Sequence, residues 1–216
     1  GKAVLFNQEK VPVTDVKLQF FVKQYMDSPK QCPAPAVMAA GERKTVAVMS
    51  LLTDRILDVT EATKIAAELS LEYRMGGELY RDRRTVTVRV MDRNAMTWDD
   101  DRKAAAFVTA KDPAVLAAAK DTAGLVRENA PEALNTNMTM AMGIFTAMEL
   151  YGLSYVVDPK TPFVEFSKDK SLVDYLQFPR QTLGYKAGDC DDLSVLFAAL
   201  LEAVGVETAF VTVPGH

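Results

Sequence analysis

Apolar and polar residues alternate over long stretches in the first part of the chain. Between 62 and 75, and again between 78 and 90, apolar side chains occupy every second position over much of each run. Such alternation is typical of a strand with one buried face and one wet face. The pair Gly76-Gly77 separates the two runs and indicates a hairpin turn. The sequence therefore predicts two long antiparallel strands.

Shorter alternating runs occupy 16–26 and 45–53 and are rich in Val, Leu and Phe. The stretch 28–36 between them contains three prolines, which favours a loop because proline cannot donate to a strand ladder. Several short strands bounded by turn residues are typical of an all-β unit. Together these runs predict a small β-sandwich over residues 1–98.

The pattern changes from strand-like to helix-like after Trp98. Three acidic residues, 99–101, precede an alanine-rich stretch and are suited to a helix N-terminus. The pair Asp112-Pro113 predicts the start of a second helix, with Asp as the cap and Pro in the first turn. The predicted fold class is therefore α+β, with a β domain over 1–98 and a helical domain over 99–216.

A third helix is predicted from about Pro131 to Leu150, because apolar residues recur there at helical spacing. The stripe expected to face the core consists of Leu134, Met138, Ala141, Phe145 and Met148. The methionines of this segment, at 138, 140, 142 and 148, are interpreted as core packing, since Met fills irregular gaps.

A fourth helix is predicted to begin at Cys190. Its apolar residues cover almost the whole circumference, which indicates a central, buried helix, with Gly205 as a plausible C-cap. The β-branched stretch 206–213 predicts a strand, and Pro214-Gly215 ends it just before His216.

Composition and charge narrow the function classes. The chain has 216 residues and a formal net charge of −4, which gives no electrostatic reason to expect nucleic acid or an anionic membrane as a partner. The cluster Arg81, Arg83 and Arg84 is interpreted as a solvated strand face. No apolar run reaches the roughly 20 residues that span a bilayer. With only two cysteines, a disulfide framework is not expected.

Cys190 and His216 are the candidate catalytic residues. Unpaired N–H groups at a helix N-terminus favour a thiolate, and a histidine can accept the thiol proton near neutral pH. His216 is the only histidine, and a helix followed by a returning strand would bring it towards Cys190. Two simpler interpretations stay open: a lone Cys is often a small buried hydrophobe, and a lone terminal His often has no role.

A motif supports the catalytic interpretation. The run Gly188-Asp189-Cys190-Asp191-Asp192, the apolar helix, and then Pro214-Gly215-His216 resemble the transglutaminase-like superfamily. The similarity is strongest to bacterial members with a Gly-Asp-Cys-[Asp/Glu]-Asp signature, some of which are cysteine proteinases. The stretches 155–159 and 178–183 also resemble this family, and the match covers roughly 131–216.

The resemblance implies a papain-like fold with a Cys-His-Asp triad. Cys190 would attack a peptide or glutamine carbonyl, and His216 would carry the proton. Gln181 is a candidate for the cleft or the oxyanion site, but an ordinary loop glutamine is the simpler interpretation of this residue. The orienting Asp is expected beyond His216, so the domain 99–216 would be incomplete at its C-terminus. The β-rich part would be an immunoglobulin-like sandwich. The expected partner is a protein or peptide substrate, and the resemblance favours an extracytoplasmic location.

The acidic residues around Cys190 oppose the proposed chemistry. Negative charges at Asp189, Asp191 and Asp192 would raise the pKa of the thiol. They are expected to act as helix caps, or else to bind Ca²⁺, as related bacterial proteinases do. Side chains at 191 and 192 point about 100° apart on a helix, so Asp189 and Asp191 are the candidate calcium pair. The competing function class is a non-catalytic binding or structural module.

Overall fold

The computed structural model describes residues 1–129, 135–157 and 172–212 of the chain. The chain forms two compact units, one over Gly1–Arg93 and the other starting at Asn94. The first unit consists of antiparallel sheet and the second contains the α-helices. The predicted α+β fold class is confirmed at this level.

The first unit is built around the predicted hairpin. In its main sheet the strand order is β3-β2-β6-β7, and β4 also pairs with β2, while β1 and β5 form a separate antiparallel pair. Gly76 and Gly77 form the turn between β6 and β7 with φ of 58° and 89°, values that glycine adopts without strain. The strands are β1 (Lys2–Phe6), β2 (Val13–Phe21), β3 (Lys30–Cys32), β4 (Val37–Met38), β5 (Arg43–Ala47), β6 (Thr63–Met75) and β7 (Glu78–Val90).

The core of the first unit contains the alternate residues of these strands. Leu18 on β2 and Ala67 on β6 are almost fully buried, and Leu5 on β1 belongs to the same cluster. Two predictions are wrong in detail. The proline-rich stretch contains β3, whose Cys32 is buried, and the run at 45–53 is a strand only as far as Ala47.

Among the described residues, the second unit contains four α-helices, one 3-10 helix and several short strands. Asp100 caps the alanine-rich stretch, which is a 3-10 helix, like Asp54–Asp58 in the first unit. The prediction of a helix starting at Pro113 is confirmed. The elements are β8 (Ala95–Met96), the 3-10 helix Asp101–Phe107, α1 (Pro113–Asn129), α2 (Thr136–Leu150), β9 (Ser154–Tyr155), β10 (Asp174–Tyr175), α3 (Pro179–Tyr185), β11 (Ala187–Gly188) and α4 (Cys190–Ala203).

Helix α4 is central, as its continuous apolar surface predicted. It packs with α1 and α2 in one core, to which α4 contributes Leu196, Ala199, Leu200 and Leu201. Its Val195 belongs to a second cluster, where Phe107 stacks on Phe178 at 4.8 Å between ring centroids. The helix is therefore buried along much of its length, while its N-terminal turn is partly open to solvent and Ser194 and Glu202 are exposed.

The predicted buried face of α2 is wrong. Met140 and Ile144 are buried, whereas Met138 and Phe145 are mostly exposed. Gly143 explains the difference, since a Cβ at this position would lie 2.2 Å from Val126 Cγ2 of α1. The glycine lets the two helices approach closely and turns its own side of α2 towards α1. The predicted stripe member Leu134 lies outside the described residues.

Two further predictions need correction. Residues 206–212 were predicted to start a strand but pair with no strand in the described part of the chain, and a β-branched sequence alone cannot supply a ladder partner. The stretch around Gln181, interpreted as a loop, is helix α3. Across the described ranges, no helix has the length and apolar character needed to cross a membrane.

Candidate active site

Cys190 is the first residue of α4, and the chain before it fixes this position. Asp189 is the N-cap, because its side chain accepts a hydrogen bond from the Asp192 N–H at 3.5 Å. Its backbone carbonyl accepts one from the Leu193 N–H at 3.0 Å. Cys190 is partly exposed, while the helix behind it is buried. The thiol therefore lies at the open end of a rigid helix.

A short parallel strand pair holds the segment that leads into α4. The Ser154 N–H donates to the Lys186 carbonyl at 3.0 Å, and the Val156 N–H donates to the Gly188 carbonyl at 2.9 Å. In this register Tyr155 lies opposite Gly188, two residues before Cys190. Strand β9 therefore places Tyr155 next to the N-terminus of α4.

Asp192 anchors the first turn of α4 from inside. Its carboxylate accepts two hydrogen bonds from Gln177, one from the backbone N–H at 2.7 Å and one from the side-chain amide at 2.6 Å. Asp192 is only 1% exposed. A Cβ added at Gly188 would lie 2.6 Å from Asp192 Cβ, so only glycine fits there. Gly188 and Asp192, the third aspartate of the motif, thus have structural roles in this packing.

Asp189, Cys190 and Asp191 lie together on the outer side of the turn. One carboxylate oxygen from each aspartate and the cysteine sulfur are all within 4.8 Å of one another. Asp192 points instead towards Gln177. The two carboxylates that converge are the pair selected from helix geometry.

The surroundings of Asp191 raise the pKa of its carboxyl group strongly. Burial, a hydrogen bond with Asp189 and the charge of Asp189 raise the pKa of Asp191 from its ordinary 3.8 to about 10, with smaller contributions from Asp174 and Asp192. Asp191 therefore holds its proton to a far higher pH than an ordinary carboxyl group does, and its hydrogen bond with Asp189 favours this protonated form.

The pKa of the Cys190 thiol is also raised. Burial is the main cause, followed by the charges of Asp191 and Asp189. The backbone N–H groups of Asp191 and Cys190 act in the opposite direction, but they are weaker. The helix N-terminus therefore does favour the thiolate, as the sequence indicated, and the burial and acidic neighbours outweigh it.

Tyr155 is the nearest residue of this site that sequence reasoning missed. Its interaction with Cys190 is the largest of the effects that raise the pKa of the Tyr155 hydroxyl, ahead of burial and the charges of Asp189 and Asp191. The side chain is 60% exposed. The strand β9 that carries it has only two residues, too few for alternation to reveal which side chains meet the helix.

Gln181 lies in the first turn of α3 and its amide is held by other groups. Its Oε1 accepts from Asn94 Nδ2 at 2.7 Å and from the Phe178 N–H at 2.8 Å, and its Nε2 donates to the Tyr175 hydroxyl at 3.4 Å. Asn94 in turn donates to the Leu176 carbonyl at 2.7 Å. These contacts fix the segment 174–178 that carries Gln177, so the amide connects to the site through Gln177 and Asp192.

The remaining predicted site residue, His216, lies outside the described residues. The calcium prediction is compatible with the donor chemistry in part, since Asp189 and Asp191 offer two of the six to eight oxygen ligands that Ca²⁺ takes. The Cys190 sulfur within the same cluster is a soft donor and does not suit this ion.

Comparison with known proteins gave no relatives. No protein-family model, curated protein or solved structure matches this chain.

Proposed function

We propose that the chain is a cysteine-dependent acyl-transfer enzyme, acting as a protease, amidase or transglutaminase, with Cys190 as the nucleophile. One observation carries the proposal: a partly exposed thiol begins a buried, rigidly anchored helix, and two backbone N–H groups favour its charged form. A thiol in this position reaches an incoming carbonyl, and the helix does not need to move. The Gly-Asp-Cys-Asp-Asp motif supports the same assignment.

In this proposal, His216 takes the thiol proton and returns it to the leaving group, and an Asp beyond His216 orients the imidazole. Gln181 is assigned to the cleft or to its support. The fold would be an immunoglobulin-like sandwich followed by the first part of a transglutaminase-like, papain-like domain. The substrate would be a protein or peptide, at an extracytoplasmic location.

Calcium is proposed as an optional cofactor. Asp189 and Asp191 would supply two of its ligands. The ion would neutralise the carboxylates that raise the pKa of Cys190, and so would favour the thiolate.

The second candidate is a non-catalytic binding or structural module. The raised pKa of the Cys190 thiol favours it, because a protonated thiol is a poor nucleophile. The two functions differ in whether Cys190 forms a thioester.

The test is acylation of the 216-residue chain by p-nitrophenyl acetate. The reaction is monitored through the release of nitrophenolate, and mass spectrometry identifies the acetylated residue. An enzyme should gain one acetyl group at Cys190 faster than a small thiol with the same fraction of thiolate. Cys190→Ser should abolish this gain, and Cys32→Ser is the matched control, because Cys32 is buried in the first unit. Acylation of Cys190 at or below the rate of the small thiol would favour the non-catalytic module.

A further inference from the structure

We propose that Tyr155 is a catalytic residue of this site, whose phenolic O–H hydrogen-bonds to the oxygen of an acyl group under attack by Cys190. This inference rests on the proposed function and names a group that the motif around Cys190 does not contain. It assigns an oxyanion donor to strand β9.

Backbone pairing between strands β9 and β11 fixes the position of Tyr155 relative to the N-terminus of α4. Parallel pairing of β9 with β11 places it opposite Gly188, and hydrogen bonds on both sides of it hold this register. Gly188 is itself packed against the anchored Asp192. Tyr155 and Cys190 are therefore fixed to the same small framework and not to independent loops.

The side chain of Tyr155 reaches the thiol. Its hydroxyl interacts directly with Cys190 and with the charges of Asp189 and Asp191. Because most of the ring is exposed, packing in a core does not explain its position.

Attack of Cys190 on a carbonyl carbon is assisted by a hydrogen-bond donor beside the oxygen that becomes negative. When the Cys190 thiolate, whose proton has passed to the base of the proposed mechanism, forms a bond to the carbonyl carbon, the π electrons of the C=O bond move to the oxygen, which becomes negative. The Tyr155 O–H would donate to this oxygen and keep its proton, beside the Cys190 N–H. When the C=O bond re-forms, the bond to the leaving group breaks, and that group departs with the electron pair. A fixed donor to such an oxygen typically accounts for about 10²-fold in rate.

A pair of reagents separates this role from an effect on the thiol itself. Acylation by p-nitrophenyl acetate places negative charge on a carbonyl oxygen, whereas iodoacetamide alkylates sulfur by displacing iodide at a saturated carbon. An oxyanion donor affects only the first reaction. A residue that changes the nucleophilicity of Cys190 affects both.

The experiment compares Tyr155→Phe with the unchanged chain in both reactions, at several pH values. We expect acylation of Cys190 to slow at least about tenfold while alkylation stays within about twofold. Tyr185→Phe is the control, since it removes a hydroxyl from another exposed tyrosine of the same unit. Unchanged acylation, or an equal loss in both reactions, would overturn the inference.

This result is distinct from failure of the proposed function. If Cys190 of the unchanged chain is acylated no faster than a small thiol, the enzyme proposal fails and the assignment of Tyr155 fails with it. If Cys190 is acylated rapidly and Tyr155→Phe makes no difference, the enzyme proposal stands and only the role of Tyr155 is lost.

Discussion

Asp192 and Gln177 form a double hydrogen bond at the base of the candidate site. The Asp192 carboxylate accepts from the Gln177 backbone at 2.7 Å and from its side chain at 2.6 Å, out of contact with solvent. The motif thus contains three aspartates with different roles: one caps α4, one shares a proton with the cap, and one ties the helix to the segment 174–178. Trp98 is a convenient fluorescent probe of this region, because it is the only tryptophan of the chain and belongs to the second unit.

Asp192→Ala should destabilise the second unit by about 3 kcal/mol, because two buried donors of Gln177 lose their acceptor. Asp192→Asn should lower the free energy of unfolding by clearly less than Asp192→Ala does. The Gln177 Oε1 is buried without a hydrogen-bond partner in the described part of the chain, so a flipped Gln177 amide can accept from the new side chain. Urea unfolding followed by Trp98 fluorescence measures both changes. The exposed helical Asp121→Ala serves as control, and equal losses for the Ala and Asn variants would contradict this account.

Gly188→Ala should destabilise the same unit by about 1–3 kcal/mol, because the new Cβ overlaps Asp192 Cβ at 2.6 Å and meets Thr182 Cγ2 at 3.3 Å. Gly184→Ala is the matched control. It lies in α3 with open space around it, and alanine there should be neutral or slightly stabilising. Comparable unfolding curves for the two variants would show that the packing around Gly188 relaxes without cost.

The protonated Asp191 predicts how stability depends on pH. Its pKa is about 10 in the folded protein and 3.8 as its ordinary value, so between these limits the folded state binds more protons than the unfolded state. The free energy of unfolding must therefore fall as pH rises through this window. Asp191→Asn should flatten the fall in urea titrations between about pH 5 and pH 9. A fall that is equally steep in this variant would assign the proton to another group.

Calcium should stabilise the second unit if Asp189 and Asp191 bind it. At about tenfold excess over the dissociation constant, binding would add about 1.4 kcal/mol to the free energy of unfolding and raise the melting temperature by a few degrees. Changing both residues to Asn should remove this gain while keeping a capable N-cap. A melting temperature that does not move at about 10 mM Ca²⁺ would leave helix capping as the role of Asp189.

Sequence patterns predicted the long hairpin and the starts of α1 and α4 well, because these depend on local signals. Alternation and a Gly-Gly turn define β6 and β7. Asp caps precede both Pro113 and Cys190. The buried face of α2 was not predictable in this way, because apolar residues surround that helix. Its orientation depends on Gly143, whose contact with Val126 is a tertiary feature.

The candidate site was predictable only in part for a similar reason. The motif located Cys190 and the convergence of Asp189 with Asp191, which follow from helix geometry. The position of Tyr155 depends on a two-residue strand whose partner lies more than thirty residues further along the chain. The raised pKa of Cys190 depends on the balance between burial and the helix N-terminus, and burial is set by tertiary packing that no local sequence pattern encodes.

The contacts of Asn94 have a consequence for how the chain folds. They join groups 82 and 87 residues apart in the sequence, whereas α1 and α2 contain only local hydrogen bonds. Closing such a long loop costs entropy before its contacts form, so we expect the surroundings of Cys190 to be completed late in folding. A destabilised variant should consequently lose the reactivity of the Cys190 thiol while it still keeps most of its helical circular dichroism signal.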